Sequence, residues 1–243
     1  MKLINYLIKK GFDTNKAQTL INEGKINVNH NQVVDPNLIL NKDDKIEIAT
    51  QKQWVSRGAY KLIEAIKQFE LDFNNKVILD IGASTGGFTD VSLQYGAKKV
   101  YALDVGTNQL DYKLRTNSRV VVYEKTNLKI INSQMFDEAI DIVVCDVSFI
   151  SLYHVFKVLD TIKHPNLEVI VLIKPQFEAT KQQVAKGGYV NIKYHEEIIE
   201  KVNNFAVQNG FSVIKTIRSP IMGLKAKNIE YISYYRFKTI NKS

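Results

Sequence analysis

From about Gly58 onward the chain alternates short apolar runs with longer stretches of helical periodicity, and this alternation constrains the fold more than any other feature. The apolar runs are "VILDIG" (77–82), "VYALDV" (100–105), "VVVYE" (120–124), "IDIVVCDV" (140–147), "VIVLIK" (169–174), "FSVIKTIR" (211–218) and "IEYISYYRF" (229–237). Helical stretches fall at 58–70, 86–95, 151–163 and 194–208. Strands that are apolar on both sides and separated by helices predict a mostly parallel sheet covered on both faces. Only "SPIMGLKAKN" separates the last two strands, so they are expected to pair as an antiparallel hairpin at one edge.

Residues 1–49 follow a different pattern. Leu3, Ile4, Leu7 and Ile8 predict a helix, Gly11 a turn, and Ala17, Leu20 and Ile21 a second helix capped at Thr14 and stopped at Gly24. Two short strands follow, "KINVN" and "KIEIA". The expected division is a small α+β domain over 1–50, a linker over 51–57 and a large α/β domain over 58–243, which suits a chain of 243 residues.

Composition excludes some classes. Hydrophobic residues make up 45% of the chain, yet no apolar run approaches the roughly 20 residues that a membrane helix needs. The opening "MKLINYLIKKGF" is broken at helical spacing and no small-residue cleavage site follows, so it does not read as an export signal. A single cysteine, Cys145, precludes an intrachain disulfide and suits a reducing, cytoplasmic setting. The net charge of +8 is unevenly spread: residues 1–49 carry 7 basic and 6 acidic groups, 50–150 carry 12 and 12, and 151–243 carry 14 and 7. A positive field on the C-terminal third suits a phosphate backbone, and equally a solvated lysine-rich face.

The phrase "VILDIGASTGGFTD" places an acid, Asp80, and three glycines, Gly82, Gly86 and Gly87, between a buried strand and a helix. Open parallel sheets bind ligands at this end of the strand, where glycine lets the backbone approach closely. Ser84 stands where the dinucleotide fingerprint requires glycine. Asp104 ends the next strand, where a carboxylate can accept from a ribose hydroxyl pair. Loop and acid are compatible with a nicotinamide dinucleotide or with S-adenosylmethionine; the terminal hairpin favours the second, as in a Rossmann-like class I methyltransferase sheet of seven strands. The candidate cofactor-binding residues are Asp80, Gly82, Ser84, Gly86, Gly87, Asp104 and Asn127.

Charged residues also stand at strand ends: Asp146 in "VVCDVSF", Lys174 in "VLIKPQF" and Glu230 in "KNIEYISYY", with Lys61 in "SRGAYKL" ahead of the sheet. Each alone could be a solvated charge. Together with "LDIGASTGGFTD", "ALDVG", "DVSFISL", "KPQFE" and "KGG", they give the chain from Trp54 onward a resemblance to the FtsJ-type 2′-O-ribose methyltransferases, and nearly the whole chain a closer one to the TlyA (haemolysin A) family of rRNA methyltransferases. That resemblance implies a catalytic tetrad of Lys61, Asp146, Lys174 and Glu230. It implies S-adenosylmethionine as cofactor, no metal, cytidines of rRNA in ribosomal subunits as substrate, and an N-terminal RNA-binding domain of the ribosomal-protein-S-four type. The family's Arg-x-Trp-Val linker reads Lys52-Gln53-Trp54-Val55 here.

Within this reading Lys174 stabilises an emerging alkoxide or takes its proton, and Asp146 orients it. The sequence Asp146-Val147-Ser148-Phe149 lacks the Pro-Pro-aromatic phrase of exocyclic-amine methyltransferases, which disfavours base methylation. "VAKGGYV" (184–190) reads as a mobile loop near Lys174. The competing classes are a membrane-active haemolysin and a non-catalytic RNA-binding factor.

Overall fold

In the computed structural model, which describes residues 1–29, 31–48, 54–223 and 227–237, the apolar spacing of the first fifty residues forms two short helices, α1 (Leu3–Lys9) and α2 (Thr14–Asn22). The cap of α2 is Asp13 rather than Thr14: Lys16 N donates to Asp13 Oδ1 at 2.8 Å, which places a carboxylate at the positive end of the helix. Three strands follow, β1 (Ile26–Val28), β2 (Asn31–Val33) and β3 (Ile46–Ile48), in an antiparallel sheet of order β2-β1-β3. Leu3, Leu7, Ala17, Ile21 and Ile26 form its dry centre. Strand β2 is polar and exposed, and no apolar run announces it.

The chain divides into two units, Met1–Gln53 and Trp54–Ser243. Of the expected linker, residues 51–53 lie outside the described residues, as does Ala49 at the end of "KIEIA". Trp54 and Val55 pack against the core of the second unit, and Val55 N donates to Asp90 Oδ2 at 3.1 Å.

That unit runs α3 (Ala59–Phe69), β4 (Val77–Ile81), α4 (Gly87–Gln94), β5 (Lys99–Leu103), α5 (Tyr112–Arg115), β6 (Val120–Tyr123), β7 (Ile142–Cys145), α6 (Leu152–Leu159), β8 (Glu168–Ile173), α7 (Pro175–Glu178), α8 (His195–Gln208), β9 (Phe211–Arg218) and β10 (Tyr231–Phe237). The seven strands lie in the order β6-β5-β4-β7-β8-β10-β9. Strands β4 to β8 are parallel, whereas β10 runs antiparallel to both β8 and β9, so the terminal hairpin forms as expected with β9 at the edge. Residues alternate between two apolar layers. Leu79, Ile81, Val143, Cys145, Val169 and Val171 face α6 and α8, while Ile78, Val100, Val144, Ile170 and Leu172 face α3 and α4. Burial on both faces is why these runs are continuously apolar rather than alternating.

Most elements stop a residue or more short of the sequence pattern, because the pattern continues into the turns that carry polar groups. The run "VIVLIK" leaves the sheet after Ile173, and "IDIVVCDV" after Cys145.

Leu79 is wholly buried at the middle of the central strand. Leu79→Ala is expected to lower unfolding free energy by about 2–5 kcal/mol through lost burial and a cavity. Urea titration followed by the fluorescence of Trp54, the chain's one tryptophan, reports this for the larger unit.

Candidate active site

Two features meet at the C-terminal ends of β4, β7 and β8. The first is the turn after β4. Gly82 has φ +84°, and a Cβ there would lie 2.8 Å from the backbone oxygen of Asp146, so the loop can pass β7 only as glycine. Gly87 approaches Ser56 and Ala59 closely enough that a Cβ would meet Ser56 Oγ at 2.3 Å, which fixes α4 against the start of α3. Gly86 caps α4, also at positive φ. Ser84 adopts φ +49°, held by its N–H, which donates to Asp104 Oδ2 at 2.8 Å; the other oxygen of Asp104 accepts from Gly106 N at 2.7 Å. Asp80 lies beneath this loop. Its Oδ2 accepts from Thr89 Oγ1 at 2.7 Å, its Oδ1 has no partner, and burial pushes its pKa up to about 7.

The second feature is a chain of charges. Glu230 Oε2 lies 2.7 Å from Lys61 Nζ, Lys61 Nζ lies 3.2 Å from Asp146 Oδ2, and Asp146 Oδ1 lies 2.6 Å from Lys174 Nζ. Lys174 Nζ then donates to Ser148 Oγ at 2.9 Å. Topology explains the convergence. Asp146 and Lys174 follow the parallel neighbours β7 and β8, while Glu230 precedes β10, whose reversed direction brings its first residue, Tyr231, opposite Ile173. Lys61 arrives from α3, in the first turn of a helix packed over that face. Lys61, Lys174 and Glu230 are all less than a tenth exposed.

Two lysines and two carboxylates sum to no net charge, which is what makes their burial tolerable. Burial draws the Lys61 pKa down, but Asp146 and Glu230 outweigh it and the net shift is upward. Burial likewise pushes Asp146 up, and Lys174 and Lys61 outweigh it to hold the carboxyl below its ordinary range. Lys61 and Asp146 are therefore both charged at neutral pH.

An open cleft of about 620 Å³ joins the two features, running from Gly82 and Ser84 past Asp146 and Lys174 to Glu230. Lys61 and Gly87 also line it. Asp80 and Gly86 lie behind the loop, and Asp104 reaches it through Ser84. Asn127 does not join them: it is exposed and its side chain caps a short turn by accepting from Lys129 N at 3.0 Å. Residues that drew no role from the sequence also line the cleft, among them Ser56, Gln176 and Asn228. Phe149 is 84% exposed and its ring lies tilted against Phe177 with centroids 4.9 Å apart. The loop over 184–190 is closed by a bridge between Val184 and Val190, and Asn228 accepts from Val190 N at 2.9 Å and donates to Gly188 O at 2.8 Å. Buried Asn228, two residues before Glu230, is the anchor that periodicity could not disclose.

The cleft suits S-adenosylmethionine. A loop that admits only glycine at Gly82, with Asp80 behind it and Asp104 just past the neighbouring strand, surrounds this part of the cleft with carboxyl groups, which fits a cationic amino-acid tail and a ribose better than a pyrophosphate, which carboxylates would repel.

Residues 54–237 match the family model described as FtsJ-like methyltransferase. The chain belongs to this family. Among curated relatives of the FtsJ-like chain, the protein named Hemolysin A from Brachyspira hyodysenteriae is 43% identical over 244 residues, covering 97% of this chain and 99% of that one. The 16S/23S rRNA (cytidine-2′-O)-methyltransferase TlyA of Mycobacterium tuberculosis is 35% identical over 238 residues, covering 96% and 88%. A solved chain from Streptococcus thermophilus that carries the hemolysin name superposes with a TM-score of 0.76 at 37% identity, covering 98% and 88%. Among the described residues of the FtsJ-like chain, no helix is long and apolar enough to cross a membrane.

Removing one member of the charge chain strands another. Lys61→Met is expected to cost about 3–5 kcal/mol, because Glu230 keeps a buried charge without its partner, whereas Lys61→Met combined with Glu230→Gln recovers much of that loss; denaturation midpoints read both. A second expectation concerns pH. Because the folded pKa of Asp80 is raised from 3.8 to about 7, the folded state binds the extra proton in that window and native stability falls as pH rises through it. Asp80→Asn, which keeps an acceptor for Thr89, should gain on the native protein as pH rises across the same window, a difference that melting curves at several pH values will show.

Proposed function

We propose that this chain transfers the methyl group of S-adenosylmethionine to the 2′-hydroxyl of a cytidine ribose in ribosomal RNA, within a ribosomal subunit, and that Lys61, Asp146, Lys174 and Glu230 carry the reaction. The observation that carries this reading is Asp146, which links two buried lysines at the strand ends beside a cofactor-sized cleft. The name of the Mycobacterium tuberculosis relative supplies the substrate and the position on the ribose.

Bound in the cleft, S-adenosylmethionine supplies an electrophilic methyl group and a sulfur leaving group. The chain's own residues do the rest. The loop around Gly82, Ser84 and Gly87 holds the cofactor close to the backbone, with Asp104 ordering Ser84 and Asp80 supporting the loop from behind. Lys174 meets the ribose oxygen: as the oxygen–carbon bond forms and the carbon–sulfur bond breaks, it either stabilises the negative charge on oxygen as an ammonium, with the hydroxyl proton passing to solvent, or takes that proton itself as an amine. Asp146 holds Lys174 in place and offsets its charge, and its second oxygen binds Lys61. Glu230 fixes Lys61 in turn, so the central pair cannot swing away. Fixed geometry of this kind keeps oxygen, methyl carbon and sulfur in line.

RNA binding is assigned to both units. The excess of 14 basic over 7 acidic groups in residues 151–243 attracts phosphate, and the helix-helix-sheet unit before Gln53 is the second RNA contact. Action on ribosomes places the protein in the cytoplasm.

Methyl transfer from labelled S-adenosylmethionine to separate ribosomal subunits tests the proposal. Lys174→Ala should lower transfer by about 100-fold or more while cofactor binding, measured by calorimetry, stays near native. Unchanged transfer in that variant would remove Lys174 from the mechanism, and label in the base rather than the ribose would overturn the 2′-O assignment.

A further inference from the structure

Phe149 holds φ +64°, a left-handed backbone that a bulky residue takes only when its surroundings impose it. Burial of its own ring does not impose it, since the residue is 84% exposed. The constraint comes from the neighbouring loop. The ring of Phe177 lies 4.9 Å away, and the carboxylate of Glu178 accepts from Ser151 Oγ and from Leu152 N, both at 2.7 Å. These contacts clamp the segment after β7 to α7, the short helix that begins immediately after Lys174.

What the clamped turn delivers is the hydroxyl of Ser148, 2.9 Å from Lys174 Nζ. The ion pair of Lys174 with Asp146, close at 2.6 Å, holds the amine from one side only. The Ser148 hydroxyl holds it from a second side, and two anchors fix a direction that one leaves free. Direction matters for lysine, whose ammonium presents three rotatable donors with no fixed plane.

We infer that Ser148 is a positioning residue for Lys174, its Oγ accepting one N–H so that the amine faces the cleft where the ribose hydroxyl arrives. This rests on the methyl-transfer reading above. Ser148 also lines that cleft and is itself exposed, and without its hydroxyl the buried Lys174 amine keeps its ion pair with Asp146. An effect of removing it is then an effect on Lys174, not on the fold.

The test uses the full chain and three substitutions, Ser148→Ala, Ser148→Cys and Ser148→Thr. The first two should lower kcat by about 10- to 100-fold, as expected when one hydrogen bond to a charged group is lost. KM for the cofactor and for the ribosomal subunit should stay within about twofold of native. Ser148→Thr, which restores the hydroxyl, should recover most of the rate. Adding Ser148→Ala to Lys174→Ala should cause no further loss, because the serine acts through the lysine. Native kcat in Ser148→Ala, or an additive loss in the Lys174→Ala background, overturns the inference. A second measurement needs no turnover. Brief acetic anhydride labelling read by mass spectrometry should report a changed rate at Lys174 in Ser148→Ala with the other lysines unchanged, and an unaltered Lys174 rate counts against the contact. If the native chain methylates no RNA, the functional reading fails by itself, and labelling still decides whether Ser148 directs Lys174.

Discussion

One carboxylate shared by two ammonium groups organises the large domain. Asp146 lies between Lys61 and Lys174, at 3.2 and 2.6 Å, and neither lysine would tolerate its burial without that oxygen pair. The demand propagates outward. Glu230 must balance the second positive charge, so β10 must enter the sheet beside β8 and in the reverse direction. Gly82 must lack a side chain so that the loop after β4 can pass the backbone of Asp146. Helix α3 must cross the same face to present Lys61. Fold and site are in this sense one problem: the strand order that buries the apolar layers also gathers the charges.

Much of this was legible from residue order. Continuous apolar runs between helical stretches indicate a parallel sheet, and strand ends are where such a sheet places chemistry, so Asp146 and Lys174 could be located without coordinates. Glu230 and Lys61 required the family phrases, because a glutamate before a strand and a lysine in a helix have ordinary solvated counterparts. Other residues left no trace in the pattern. The cap of α2 moved from Thr14 to Asp13 because both residue types cap well and only geometry chooses between them. The strand Asn31–Val33 has no apolar face, since it pairs at the edge of a small sheet. Asn228 and Glu178 work by long-range hydrogen bonds, and no local periodicity encodes a partner 26 to 40 residues away. Asn127 shows the reverse failure: a polar residue after a strand met its own backbone turn instead of the cleft.

The two halves of the cleft are built by different physics. Around Gly82 and Ser84 the structure relies on backbone, with positive φ and amide donors to Asp104, which suits close approach by a flexible ligand. Around Lys174 it relies on side chains locked in pairs, which suits a fixed reacting geometry. Asp146 belongs to both halves, through its backbone oxygen facing Gly82 and its carboxylate facing the lysines. A disturbance at either half is therefore felt at the other.

The position of β10 has a consequence for how the chain matures. Strand β9 is made first yet lies outside β10 and pairs with it alone, so it joins the sheet only once β10 lies between it and β8. Glu230 stands at the mouth of that strand. During synthesis Lys61, Asp146 and Lys174 all precede Glu230, so the four-membered charge chain can close only after the last strand has been reached. Long-range closure of this kind is slow relative to local structure. The charge chain can therefore form no earlier than the pairing of β10 with β8.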